Sequence, residues 1–111
     1  MTEWHKVSEV SEILPGQCKT IVAADRKVTV FNVGGRFHAL DDACPHFGGP
    51  LGLGQFAEGQ ITCPWHGWTF SVTTGENVHA PSLRVQAFAV KIEGTAVLVE
   101  LPPADPPPGE A

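Results

Sequence analysis

The chain has 111 residues, a length that fits one domain with a modest core. Apolar residues make up 42% and charged residues 17%, which is a globular composition, and 12 Gly with 10 Pro argue for many turns and few long helices. A net charge of −5 and the lack of any Lys/Arg run argue against nucleic acid and anionic membrane as partners, since both require a basic footprint.

The first residues, Met1-Thr2-Glu3-Trp4-His5-Lys6, have no basic segment followed by an apolar run, so a signal peptide is not expected. No stretch approaches the ~20 apolar residues of a membrane-spanning helix. A cytoplasmic location is the expectation. Three cysteines are too few for a secreted disulfide framework.

In chain order, residues 18–23 (CKTIVA) read as a strand, and Ala24-Asp25-Arg26 as a turn. Residues 27–33 (KVTVFNV) are rich in β-branched side chains and form the next strand. Gly34-Gly35 suits a two-residue hairpin loop, because both central positions of a type I′ turn need positive φ. Residues 36–40 return as its partner. From 41 to 70 the character changes. Gly48, Gly49, Pro50, Gly52, Gly54 and Gly59 cluster there, which excludes a helix and disfavours strands, so a loop region is expected.

Strand signals return at 68–72, and Thr73-Thr74-Gly75-Glu76 reads as a turn. Residues 86–92 alternate, with Phe88, Val90 and Ile92 predicted on one face of a single strand. Glu93-Gly94 is the turn to a last strand over 95–101. The final ten residues, PPADPPPGEA, hold five prolines and are expected to form an extended, disordered tail.

Two short motifs stand in the glycine-rich region. One is Cys44-Pro45-His46 and the other is Cys63-Pro64-Trp65-His66, with sixteen residues between His46 and Cys63. Each offers one thiolate and one imidazole. Zinc accepts a Cys₂His₂ set, although its common spacing places two Cys together and then two His. A mixed pair in each loop suits a binuclear cluster, and both readings stay open on spacing alone.

Cys-Pro-His with Cys-Pro-Trp-His-Gly-Trp, together with Gly48-Gly49-Pro50-Leu51-Gly52, resembles the Rieske iron–sulfur family over roughly residues 4–101. The likeness extends to small Rieske ferredoxins and to the Rieske-like small subunit of assimilatory NAD(P)H nitrite reductase. It implies an all-β fold, with an antiparallel β-sandwich base and a small cluster-binding subdomain at about 43–70. The domain would span 1–101, followed by the tail at 102–111. It also implies one [2Fe-2S] cluster per chain, with Cys44 and Cys63 on one iron and His46 and His66 on the other. Trp65, Phe47, Leu51, Trp68 and Pro64 would shield the cluster, and loop N–H groups would donate to its sulfides. Trp68 and Phe70 are otherwise read as core.

Such a chain is expected to be a soluble one-electron carrier with no catalysis of its own. It would pass electrons as a monomer from a flavin-dependent reductase to a terminal oxygenase. The nitrite reductase subunit and a zinc module without a redox role are the alternatives. High-potential members of the family carry a disulfide between the ligand loops, a Ser past the second His and a nearby Tyr. The matching positions here are Gly49 and Trp65 for the disulfide and Trp68 for the Ser, and the chain has no Tyr. A low-potential centre is implied.

Outside the motifs, Cys18 is read as a structural cysteine in a strand. His5, His38 and His79 are read as surface or structural residues. Asp41-Asp42 is read as a turn with some prospect of touching a docking partner.

Overall fold

The computed structural model describes residues 3–23, 26–42, 51–64, 67–80 and 82–101. Among them it forms ten strands in three antiparallel sheets. The first sheet has the order β1-β10-β9, with β1 at Glu3–Glu9, β9 at Val90–Glu93 and β10 at Ala96–Leu101. The second has the order β2-β3-β4-β8, from Cys18–Ala23, Arg26–Val33, Arg36–Asp41 and Ala87–Phe88. The third is β5-β6-β7, from Gln55–Ala57, Gln60–Thr62 and Thr69–Ser71.

The second sheet is the middle layer. Side chains alternate across a strand, and here both faces of β3 are covered. Val28 and Val30 point toward the first sheet, where they meet Val97, Val99 and Leu101 of β10 and Val7 of β1. Phe31 points the other way with Leu40 of β4, onto Ile61, Cys63 and Phe70 of the third sheet. Hence Val28 through Asn32 are all buried. The antiparallel sandwich expected from the sequence is the pairing of the first two sheets, and the third sheet stacks on its far side.

The β2–β3 and β3–β4 hairpins follow the β-branched run, and Gly34 and Gly35 adopt φ of 59° and 96° as a type I′ loop requires. Arg26 begins β3 rather than ending a turn; Ala24 and Asp25 lie outside the described residues.

Three expectations are corrected. The glycine-rich region expected to be loop contains the β5–β6 hairpin, turned by Glu58 and Gly59, both with positive φ (54° and 75°). Its strands are only three residues long, and β6 pairs on its other edge with β7, which completes a three-stranded sheet. Second, residues 86–92 are not one strand. β8 pairs with β4 and β9 pairs with β10, so the chain passes from the middle sheet to the first at Ala89. Phe88 and Val90 still pack in the core between the sheets, whereas Ile92 is exposed. Third, β1, absent from the strands expected, lines the far edge of β10 with a register shift between Lys6 and Ser8.

The third sheet is inserted between β4 and β8, which are neighbours in the middle sheet. Ala39 pairs with Phe88 and Leu40 with Ala87, and the Asp41 N–H donates to the Gln86 carbonyl at 2.9 Å. The tail expected at 102–111 lies outside the described residues. No described helix is long and apolar enough to cross a membrane.

Candidate metal centre

The β6–β7 pairing runs Gln60–Ser71, Ile61–Phe70 and Thr62–Thr69, with the two threonine hydroxyls 3.0 Å apart. Cys63 is the next residue along, and the ladder continues through it. Its N–H donates to the Trp68 carbonyl at 2.7 Å, and its own carbonyl accepts from the Gly67 N–H at 3.1 Å. Cys63 is therefore held on the extension of a hairpin, facing Gly67 and Trp68. Gly67 turns it with φ of 71°, a conformation that costs glycine little and other residues more.

Cys63 is 1% exposed and has no disulfide partner. It packs in the cluster formed by Phe31, Leu40, Ile61 and Phe70. Beside it an open cavity of about 430 Å³ is lined by Leu53, Gly54, Thr62, Cys63, Pro64 and Gly67, among others. This wall joins the residues that follow the first motif to the residues of the second. Cys44, His46 and His66 lie outside the described residues, as do Pro45, Phe47 and Trp65. Of the expected shield, Pro64 is exposed and Trp68 is half-buried, its ring 6.4 Å from that of Phe70. Phe70 is fully buried core, as expected.

A short 3-10 turn, Leu51–Leu53, carries the chain out of the first motif's segment toward β5. Leu53 at its end is 78% exposed. A third segment borders the site. The Val78 N–H donates to the Thr69 carbonyl at 2.9 Å, and Asn77 is bridged to Phe70. Asn77 Oδ1 accepts from the N–H groups of His79 and Ala80, at 2.8 and 3.0 Å, which folds this segment back on itself.

Asp42 lies in a bend just past β4, as the turn expected there requires, but it is not at the surface where a docking partner could touch it. It is buried, and its Oδ1 accepts from the Thr29 hydroxyl at 2.7 Å and from the Gly52 N–H at 2.6 Å. A buried carboxylate without donors would be costly, and here both donors are supplied. No local pattern announces this, because Thr29 lies on a different strand and becomes a neighbour only through the β3–β4 register. Asp41 belongs to β4 and pairs with Arg26 at 3.4 Å, while burial holds its carboxyl above the usual carboxylate range.

Cys18 is half-buried in β2, opposite Phe31, and its thiol donates to the Gly52 carbonyl at 3.9 Å. Burial, with Asp42 nearby, pushes this thiol up. The structural reading of Cys18 stands, and the contact also ties it to the turn beside the site. His79 is exposed; His5 is half-buried in β1, and its Nε2 is 4.0 Å from Glu3. His38 lies half-buried in β4.

The thiol at the cavity wall and the glycine turns on both sides suit a compact cluster held by short loops. The Rieske [2Fe-2S] domain model matches residues 3–97. The chain belongs to the Rieske [2Fe-2S] domain family.

Among its relatives, the ferredoxin component of the alkene monooxygenase system of Xanthobacter autotrophicus is 34% identical over 110 residues, which is 98% of this chain and 89% of that protein. Human Apoptosis-inducing factor 3 is 38% identical over 94 residues, covering 84% of this chain but only 16% of that much longer protein. Among solved structures, a chain from the complex of reduced oxygenase and oxidized ferredoxin in carbazole 1,9a-dioxygenase superposes with a TM-score of 0.80 at 31% identity. The match covers 86% of this chain and 91% of that one. The cofactor of the Rieske family is a [2Fe-2S] cluster, and the donor chemistry of Cys63 at its cavity fits that group.

Proposed function

We propose that this protein is the ferredoxin component of an oxygenase system. It takes single electrons from a flavin-dependent reductase and delivers them to a terminal oxygenase. The observation that carries this reading is the near full-length match to a ferredoxin component, 98% of this chain against 89% of that protein. The structural neighbour from an oxygenase–ferredoxin complex supports the same class of partner. These relatives favour the oxygenase reading over the nitrite reductase subunit, and the family match favours iron–sulfur over zinc.

Cys44, His46, Cys63 and His66 are the four ligands in this reading. When bound, the cluster supplies reversible one-electron redox chemistry, and the protein supplies binding, orientation and shielding. Cys63 brings its sulfur to the cavity from the extension of a hairpin. Glycine turns let the backbone approach closely, and the exposed Leu53 offers apolar contact beside the site. In this reading the chain carries electrons without substrate chemistry of its own, as a monomer in the cytoplasm.

Reconstitution tests this. The purified protein, combined with a flavin-dependent reductase and a terminal oxygenase of such a system, is expected to restore NAD(P)H-dependent turnover that neither partner shows alone. Turnover that is unaffected by adding or omitting this chain would refute the assignment.

A further inference from the structure

Gly52 is gripped on every side it presents. Its N–H donates to Asp42 Oδ1 at 2.6 Å, and its carbonyl accepts from the Cys18 thiol at 3.9 Å. A Cβ at this position would run into the Thr20 hydroxyl and press on the Thr29 hydroxyl and the Asp42 carboxylate. The grip is itself anchored. Thr29 gives its single hydroxyl proton to Asp42 at 2.7 Å, so its 3.0 Å bond to Thr20 is one it accepts. Cys18, Thr20, Thr29 and Phe31 share one face of the β2–β3 hairpin by register.

Asp42 and Gly52 are ten residues apart, and the first motif lies between them. One carboxylate oxygen thus closes both ends of segment 43–51. We propose that Asp42 and Cys18 are positioning residues for the first motif, holding Gly52 on the β2–β3 face and so anchoring the two residues, Asp42 and Gly52, between which Cys44 and His46 lie in the sequence. This rests on reading Cys44 and His46 as cluster ligands. Closing a loop removes its freedom at both ends at once. Binding groups are best held in place when residues behind them are themselves fixed by packing and hydrogen bonds.

The test uses the cluster-loaded protein and a ferrous chelator, with the rate of iron release as the primary readout. The paramagnetic resonance line shape and midpoint potential of the reduced cluster are measured alongside, since a loss of stability alone moves neither. D42A is expected to release iron about tenfold faster than wild type or more, with a broadened spectrum. D42N keeps an oxygen that accepts both bonds and is expected to restore the wild-type rate and spectrum. C18A is expected to fall between D42A and wild type.

Wild-type release and an unchanged spectrum in D42A would overturn the proposal, as would D42N behaving like D42A. If D42A does not fold, T29V and C18A decide, and wild-type rates in both would overturn it. C44A is run in parallel for iron content. A cluster retained there would overturn the ligand reading itself, a result independent of the release rates.

Discussion

Cys63 and Trp68 hold each other through the backbone, N–H to carbonyl at 2.7 Å, so Cys63 is an extension of the β6–β7 ladder. The thiol of Cys63 consequently inherits the rigidity of a hairpin whose base is the buried pair Ile61 and Phe70. That pairing ranks the ligands for mutation: removing the Cys63 sulfur leaves its hairpin intact and takes away a thiolate donor. C63A is expected to fold, to be colourless and to lack acid-labile sulfide, whereas wild type should be red-brown with about two irons and two sulfides per chain. Iron and sulfide analysis beside a far-ultraviolet spectrum checks this. One zinc per wild-type chain would refute it.

The potential should be low. The position at which high-potential members of the family carry a Ser is Trp68, and its indole, half-buried near Phe70, brings no hydroxyl. The chain has no Tyr, and Gly49 and Trp65 stand where a loop disulfide would need two cysteines. Fewer hydrogen bonds to sulfur leave electron density there and disfavour reduction. Voltammetry at neutral pH is expected to give about −150 to −100 mV, and a midpoint above about +100 mV would contradict it. The midpoint should also fall with rising pH once the oxidised form loses ligand-imidazole protons. A flat profile through about pH 11 would exclude histidine ligands open to solvent.

Glu58 occupies left-handed backbone with φ of 54°, a conformation that costs a non-glycine residue about 1–2 kcal/mol. Asparagine tolerates it and pairs with Gly59 as the favoured type I′ sequence. E58N is expected to raise stability by about 0.5–1 kcal/mol in urea denaturation of the loaded protein. A loss of stability would show that the Glu58 side chain contributes more than its backbone costs.

Two glycines separate conformational from steric cost. Gly34 has φ of 59° with open space where a Cβ would sit, so G34A is expected to cost about 1–2 kcal/mol. Gly75 has φ of 80°, and a Cβ there would collide with the Val85 carbonyl, which cannot retreat because the Val85 N–H is bonded to the Gly75 carbonyl at 2.8 Å. G75A is therefore expected to lose far more stability than G34A. Equal midpoints for the two would contradict the packing at Val85.

His38 is held below the usual imidazole value by burial and, second, by Arg36. The sign follows from linkage. Below about pH 6.5 the unfolded chain binds a proton at this residue before the folded one does, so stability present above that pH is lost as pH falls through the lower folded value. H38Q is expected to show a flatter dependence of the thermal midpoint between about pH 7 and 5. Parallel curves for variant and wild type would remove His38 from the account.

The elements that could be read from sequence are those whose local chemistry agrees with their surroundings. β2, β3 and β4 carry a β-branched run interrupted by Gly34-Gly35, and the structure places them within a residue of the expected bounds. The Rieske family was legible because paired Cys and His at that spacing have few other uses. The β5–β6 hairpin was hidden because Glu58, at a position usually filled by Asn or Gly, gives no turn signal. The change of sheet at Ala89 was hidden because Phe88 and Val90 face the same core from two different sheets, with no glycine or proline to mark the passage. The burial of Asp42 was hidden because its partners, Thr29 and Gly52, are distant in sequence and meet it only in the folded chain.

The insertion of the third sheet between two hydrogen-bonded neighbours bears on how such proteins change over time. Because β4 and β8 pair directly and the Asp41 N–H already reaches the Gln86 carbonyl, the stretch from 42 to 86 leaves and rejoins the scaffold through a single doorway. A recombination event that exchanged this stretch as one cassette would cross the rest of the protein at only two adjacent points. It would carry the ligand motifs, the cavity and the exposed Leu53 together. Partner preference and redox tuning could then be inherited as a package, provided that the incoming stretch fits the face of the strands beneath it, where Phe31 and Leu40 share its core and Thr29 bonds Asp42.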